Sequence, residues 1–171
     1  MKSLVIYFSR ADENYFGGAM RYIDKGNTEV VAEYIKDITG ADLFKVERKI
    51  PYSKDYMTCI KEAQEEQKKN ELPELVKELT DVADYDVVYI GGPIYWGTLP
   101  QPMFTALSKL DLSDKVIMPF STHEGSGLAS IVRDIKKYAP KANIKSGLAI
   151  VGSNVNSSKP LLQKWINEQL L

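Results

Sequence analysis

Apolar residues fall along this chain in two rhythms. Leu4–Phe8 is an unbroken apolar run, and Asp86–Ile90, Val116–Phe120 and Leu148–Val151 are nearly so. Short runs of this kind suit strands buried on both faces of a parallel sheet. Ala41–Glu47 begins apolar and then alternates, as an edge strand does. The second rhythm is helical. Val30, Val31, Tyr34, Ile35 and Ile38 share one helix face. So do Leu128, Ile131, Val132, Ile135 and Tyr138, and again Leu161, Leu162, Trp165, Ile166 and Leu170. Asn27 or Thr28 is placed to cap the first helix and Gly40 to end it. Ser157 or Ser158, ahead of Pro160, opens the last. The polar span 53–80 predicts one helix to about Lys69 and a shorter one from about Pro73, with Gln64–Glu71 as a solvated face. Ile144–Val151 is expected to run straight on as the final strand.

Strands alternating with helices predict an α/β fold. The expected form is a three-layer, doubly wound domain over residues 1–171, with a five-stranded parallel sheet of order 2-1-3-4-5. Length agrees, since 171 residues suffice for one domain with a full core. Charge narrows the partners. Lys plus Arg is 22 and Asp plus Glu is 23, a net charge of −1, which lacks the basic surplus of a nucleic-acid footprint. A hydrophobic content of 44% argues against a disordered chain. The one cysteine, Cys59, permits no intrachain disulfide and fits a cytoplasmic location. The first apolar run is too short for a signal sequence, and no run approaches a membrane span. The expectation is a soluble protein with no nucleic-acid or membrane partner; monomer and homodimer are both compatible with it.

In doubly wound sheets, ligands bind beyond the carboxyl ends of the strands. That rule selects three loops: Ser9–Asn27, Gly91–Pro102 and Ser121–Gly127. The first ends Gly26-Asn27-Thr28-Glu29 and runs into a helix, whose free N–H groups attract anions. Simple capping by Asn27 or Thr28 is the plainer explanation of that stretch taken alone. The second carries Tyr95 and Trp96 beside Gly97; aromatics there are costly to expose unless something flat covers them or they pack on a neighbouring helix. The third carries hydroxyls, two glycines and the single histidine, His123.

Other chemistries fit poorly. Gly125-x-Gly127-x-x-Ser130 is a partial dinucleotide fingerprint after the wrong strand. There is no phosphate-binding Gly-Lys-Ser/Thr loop and no Gly-x-Ser-x-Gly elbow. Ser126 and His123 lack a third partner for a hydrolase. The strand ends Phe8-Ser9 and Ile90-Gly91-Gly92 lack the acids of a phosphoacceptor domain. One histidine and one cysteine leave little for a transition metal.

With these pieces assembled, the chain resembles the flavodoxin-like FMN-binding proteins over essentially its whole length. The matching segments are Tyr7-Phe8-Ser9-Arg10, Gly26–Glu29, Tyr85-Asp86, Gly91–Gly97, Pro100 and Phe120–Gly127. The resemblance implies that Ser9, Arg10, Asn27 and Thr28 hold the FMN phosphate. It implies that Pro93, Ile94, Tyr95, Trp96 and Gly97 line one side of the flavin ring, with Tyr95 or Trp96 stacking on it. Ser121, Thr122, His123, Gly125 and Gly127 would line the other side. It also matches Gly97-Thr98 to a peptide that reorients when the flavin is reduced. One departure stands out: the insert Arg10–Lys25, with Tyr15, Phe16, Tyr22 and Gly17-Gly18, replaces a tight phosphate turn. Such an insert can fold over the flavin or form a partner surface.

The implied function is electron transfer on non-covalently bound FMN, between a reductase and a redox partner protein. The alternative is an FMN-dependent NAD(P)H:quinone-type oxidoreductase reducing a small acceptor, with His123 a possible catalytic proton donor. The charge bears on this choice, because dedicated carriers are usually strongly acidic. Segments 93–102 and 121–127 hold one acid between them, Glu124. A binding module without flavin is the third possibility.

Overall fold

The computed structural model describes residues 1–171. In chain order the first half contains β1 (Ser3–Tyr7), β2 (Asp12–Phe16), β3 (Ala19–Ile23), α1 (Asn27–Thr39), β4 (Asp42–Lys45) and α2 (Tyr56–Lys68). The second half contains β5 (Val87–Pro93), α3 (Gln101–Ser108), β6 (Val116–His123), α4 (Ile131–Tyr138), β7 (Asn143–Ile144), β8 (Leu148–Val151) and α5 (Lys159–Leu170). A 3-10 turn, Gly152–Ser157, joins β8 to α5.

The main sheet is parallel, in the order β4-β1-β5-β6, with β7 and β8 both paired to the far side of β6. Taking β7 and β8 as one position reproduces the expected order 2-1-3-4-5. The strand pleat sends alternate residues to opposite faces. Leu4, Ile6, Val88, Ile90 and Ile117 pack with α2, α3 and α4 through Cys59, Met103, Leu107 and Ile135. Val5, Tyr7, Tyr89, Met118 and Phe120 pack with α1 and α5 through Val31, Ile35, Leu162 and Trp165. Two cores on the two faces of one sheet give the three layers, and no helix is long and apolar enough to cross a membrane.

The last strand does not run straight on. Three steps along β6, from Ile117 to Phe120, face four steps at the edge, from Ile144 to Leu148. The extra residue is a bulge, and Pro119 lies opposite it. A proline has no N–H to give the ladder. The bulged segment closes in through Gly147, where a Cβ would lie 2.9 Å from Leu128 Cδ1 and 3.1 Å from the Pro119 carbonyl.

The helix expected from Pro73 is also absent. Residues 74–76 instead lie beside 47–49, with Lys49 N–H donating to Glu74 O (2.8 Å) and Val76 N–H to Glu47 O (2.9 Å). This buries Leu75. Conversely, α3 begins within what reads as loop, because Pro100 and Pro102 suggest irregular chain. Pro102 instead stands in the first turn, where a missing N–H does no harm. Gly40 ends α1 as expected, at φ 74°, with its N–H on Lys36 O. Asn27 and Thr28 do not cap α1; Gly26 holds that position, and Asn27 and Thr28 are its first two helical residues.

The charged run 64–71 is not wholly a solvated face, since Glu66 is 2% exposed. Arg48 Nε donates to one of its oxygens at 2.9 Å, and the Tyr52 hydroxyl donates to the other. The guanidinium also lies over the Tyr52 ring, 4.7 Å from its centre. Burial, followed by the Glu66 carboxylate, pushes the Tyr52 phenol far above its ordinary range. Removing one partner from a buried ion pair strands the other. Glu66→Ala is therefore expected to lower unfolding free energy by about 3 kcal/mol. Glu74→Ala, which breaks the exposed Lys49–Glu74 pair, should change little. Urea unfolding of the two variants checks the contrast.

Candidate functional site

The carboxyl edge of the sheet opens into a cleft of about 320 Å³. Its geometry starts at Gly26, buried where the chain turns into α1. A Cβ there would strike Ser9 Oγ and come within 2.6 Å of the Arg10 carbonyl, so only glycine lets the end of β1 approach the helix this closely. Ser9 Oγ accepts the Glu29 N–H at 3.0 Å and so satisfies one of the open amides of α1. The hydroxyls of Thr28 and Thr122 meet at 2.8 Å, buried, and lock α1 to the end of β6. Asn27 and Thr28 line the cleft at the N-terminus of a helix of 13 residues, where the first N–H groups have no acceptor within the helix. Gly152 completes this corner; a Cβ on it would lie 2.6 Å from Glu124 Oε1 and 2.8 Å from Asn27 Nδ2.

The middle of the cleft is aromatic. Tyr95 and Thr98 bridge across a tight turn, with Tyr95 N–H on Thr98 O at 2.7 Å. Trp96 and Gly97 occupy its centre at φ 53° and 84°. Positive φ at both central positions is the I′ geometry, which a bulky residue adopts only under strain. Tyr95 turns inward: its ring packs edge-on with Phe8 at 5.8 Å and Tyr52 at 6.0 Å, and its buried hydroxyl has no hydrogen-bond partner. Burial drives that phenol well above its usual range. Trp96 turns outward, 48% exposed, with Nε1 donating to Ile60 O at 3.0 Å. Of the two aromatics expected to stack, Trp96 is the one with a free face. Gln67 Nε2 holds the turn from below, donating to Tyr95 O (3.2 Å) and Trp96 O (3.1 Å). Gly97 O accepts from Ser130 N–H at 2.9 Å, so the Gly97-Thr98 peptide is bonded on both sides.

The insert forms an antiparallel hairpin, β2–β3, that flanks the cleft. Arg10 fixes its stem through Nε to Glu13 O and Nη2 to Lys54 O, both 2.9 Å, while Glu13 accepts the Tyr56 N–H. At the tip, Gly17 N–H donates to Glu124 Oε2 at 3.2 Å. Asn14 and Tyr15 thereby become part of the cleft wall.

Nine of the expected residues meet in the cleft: Arg10, Asn27, Thr28, Pro93, Ile94, Tyr95, Trp96, Thr122 and His123. The other five do not line it. Ser9 serves the helix terminus. Ser121 is fully buried and donates to Gly127 O at 2.8 Å. Gly97, Gly125 and Gly127 take positive φ and shape the loops. His123 Nδ1 accepts the Gly125 N–H at 2.9 Å, so the ring is held by its own loop. The lining residues outside the expected cofactor set come from α2 (Tyr56, Cys59, Ile60, Ala63), the hairpin (Asn14, Tyr15), and Glu124, Ser126 and Gly152. Cys59 and Ala63 carry a signal in hindsight, being small residues on the buried face of a polar helix. Burial raises the Cys59 thiol above its ordinary range, which keeps it protonated.

The strain at Trp96 is measurable. Trp96→Gly is expected to be more stable than Trp96→Ala by about 1 kcal/mol, because alanine retains the left-handed penalty and glycine does not. Thermal or urea unfolding of the two variants reads the difference.

A sequence family described as Flavodoxin matches residues 19–169, most of the chain. No curated protein sequence gives a significant match. Among solved structures, a Bacteroides uniformis protein carrying a provisional flavoprotein name aligns at TM-score 0.74 and 22% identity, covering 97% of each chain. A Lactobacillus acidophilus flavoprotein solved in complex with FMN aligns at 0.62 and 20% identity, over 91% of this chain and 97% of that one. Oxidised flavodoxin 2 from Bacillus cereus aligns at 0.52 and 16% identity, over 98% of this chain and 99% of that one. At these identities the structures speak for the fold, and with the family match they close the question the sheet order raised: this chain belongs to the flavodoxin family.

Proposed function

We propose that the cleft binds FMN non-covalently and that the protein transfers electrons through it. The observation that carries the reading is Trp96: an exposed indole, held at a strained φ, beside a helix N-terminus in one cleft. A flat apolar wall next to an anion site suits a planar ring with a phosphate tail. Gly26 and Gly152 frame this corner by admitting neighbours where a Cβ would clash: the Ser9 hydroxyl against Gly26, and the Glu124 and Asn27 side chains against Gly152. The membership of the flavodoxin family and the FMN complex of the Lactobacillus acidophilus protein support the same cofactor.

FMN supplies reversible one- and two-electron chemistry when bound. The chain's own residues supply the rest. The open amides of α1, with the Asn27 side chain, would hold the phosphate. Arg10 adds positive charge at the cleft while its guanidinium anchors the hairpin. Trp96 would cover one face of the ring, and Gln67 and Ser130 hold the turn that carries it. The hairpin, latched to Glu124, limits water above the cleft. The unpaired, buried Cys59 fits a reducing compartment such as the cytoplasm.

A second reading, an FMN-dependent NAD(P)H oxidoreductase acting on a quinone-type acceptor, is favoured by one observation. The net charge is −1, with Glu124 the one acid in the two ring-side loops, so the protein lacks the acidic field that steers carriers to basic partners.

The purified protein should be yellow and release FMN on denaturation. Apoprotein should quench FMN fluorescence on binding. Trp96→Ala is expected to weaken that binding by about 1–2 kcal/mol. Trp165→Phe, which alters an indole bonded to Ser146 O in the other core, should leave it unchanged. Apoprotein that leaves FMN fluorescence untouched would remove the flavin reading altogether. Rapid mixing with NADPH then separates the two functions: fast bleaching of the flavin marks the reductase, and its absence the carrier.

A further inference from the structure

Trp96 has a second neighbour. A groove of about 400 Å³ shares Trp96 with the cleft and runs on between the 96–98 turn, the start of α3 and α4. Its volume falls within the range of small-ligand sites, as the first does. Its lining is largely polar, so a purely apolar occupant would leave those groups unsatisfied.

The charge arrangement in this groove is specific. Asp134 lies low in the wall, its side chain 11% exposed, and takes the Thr98 hydroxyl on Oδ2 at 2.7 Å. Its other oxygen meets both Arg133 Nε and Lys137 Nζ at 3.1 Å. Burial pushes the Asp134 carboxyl up, but Thr98, Arg133 and Lys137 outweigh it and hold the group below its ordinary range, so it is ionised. One carboxylate thus orients two cations. The other groove-lining side chains (Gln67, Asn70, Gln101 and Ser130 among them) are uncharged, so the groove carries an excess of one positive charge. Both cations keep about two thirds of their side chains exposed, at 69% and 65%. Arg133 also stands in the first turn of α4, where the helix dipole disfavours a cation.

Flat surfaces complete the picture. Phe104, itself buried, and Tyr138 stack at 5.4 Å with their planes 19° apart, and both line the groove together with Trp96. Two aromatic residues, Trp96 and Tyr138, and two exposed cations in one groove match the chemistry of a molecule with two rings joined by phosphates.

We propose that this groove binds a nicotinamide dinucleotide, its phosphates at Arg133 and Lys137 and its adenine against Tyr138, so that the nicotinamide end reaches the cleft at Trp96. The groove's ligand follows from its own residues; only the purpose of reaching Trp96 rests on the flavin reading.

Calorimetric titration with NADP⁺, NAD⁺ and ADP tests this, on FMN-loaded protein and on apoprotein. The double variant Arg133→Ala/Lys137→Ala is expected to weaken binding of all three at least 10-fold while leaving the FMN dissociation constant unchanged. Tyr138→Ala should weaken ADP binding as well as NADP⁺ binding. Raising the salt concentration should narrow the gap between wild type and the double variant, since the cations are exposed. Equal affinities in wild type and double variant, or no binding of any of the three to the wild type, would overturn the proposal. Binding of ADP to apoprotein that the double variant loses would support the groove even if FMN failed to bind. Tight FMN binding with no nucleotide binding would sink the groove and leave the flavin reading intact.

Discussion

The cleft depends on how closely α1 can sit against the ends of β1 and β6. Two buried contacts set that distance: the Thr28–Thr122 hydroxyl pair at 2.8 Å, and the absence of a Cβ at Gly26 above Ser9. Hydroxyls buried on both sides of a helix–strand junction are satisfied only by each other, so neither element can slide without losing the bond. Everything at the carboxyl edge is referenced to that junction. The α1 amides, the loop after β6 and the Gly152 corner all take their places from it, and the hairpin reaches the same loop through Glu124.

Much of this was legible in the sequence, and the reasons differ by element. Three of the four apolar runs located the central strands β1, β5 and β6, because burial on both faces leaves no polar alternative; the fourth, Leu148–Val151, is β8 at the edge, only partly buried. The site loops followed from the strand ends, and nine of the residues they supplied do meet in the cleft. The errors have physical causes. Proline misled at both ends of its meaning: Pro73 opens no helix, because 74–76 pairs with 47–49, whereas Pro102 sits in a first helical turn. Pro119 acts at a distance that pattern cannot express, interrupting the strand beside its own. Glu66 looked solvated because its partners, Arg48 and Tyr52, lie outside the helix, 18 and 14 residues earlier in the chain, where helical periodicity does not reach. The α2 contribution to the cleft was invisible for the same reason, since nothing local marks Cys59, Ile60 and Ala63 as facing a loop after β5.

Tyr95 and Trp96 show how a turn divides labour between adjacent residues. Both are aromatic and both belong to one loop, so sequence offers no way to choose between them. The positive φ at Trp96 decides it, turning one ring into the Phe8–Tyr52 cluster and the other out to the cleft. The strain is local and of the order of 1–3 kcal/mol. It is contained by Gln67 and the Ile60 carbonyl, both on α2, and by Ser130, the residue before α4. The same indole borders both the cleft and the polar groove, so a single residue's backbone geometry shapes two cavities.

The bulge opposite Pro119 bears on how this chain avoids its own kind. An open sheet presents unpaired backbone at each edge, and a long regular edge is a template for another strand. Here one edge is β4, four residues long, and the other is broken into segments of two and four residues by Lys145–Gly147. A second chain approaching that side meets no continuous ladder to extend. The same kink that lets Gly147 pack on Leu128 thus shortens the ladder this edge could offer to another strand.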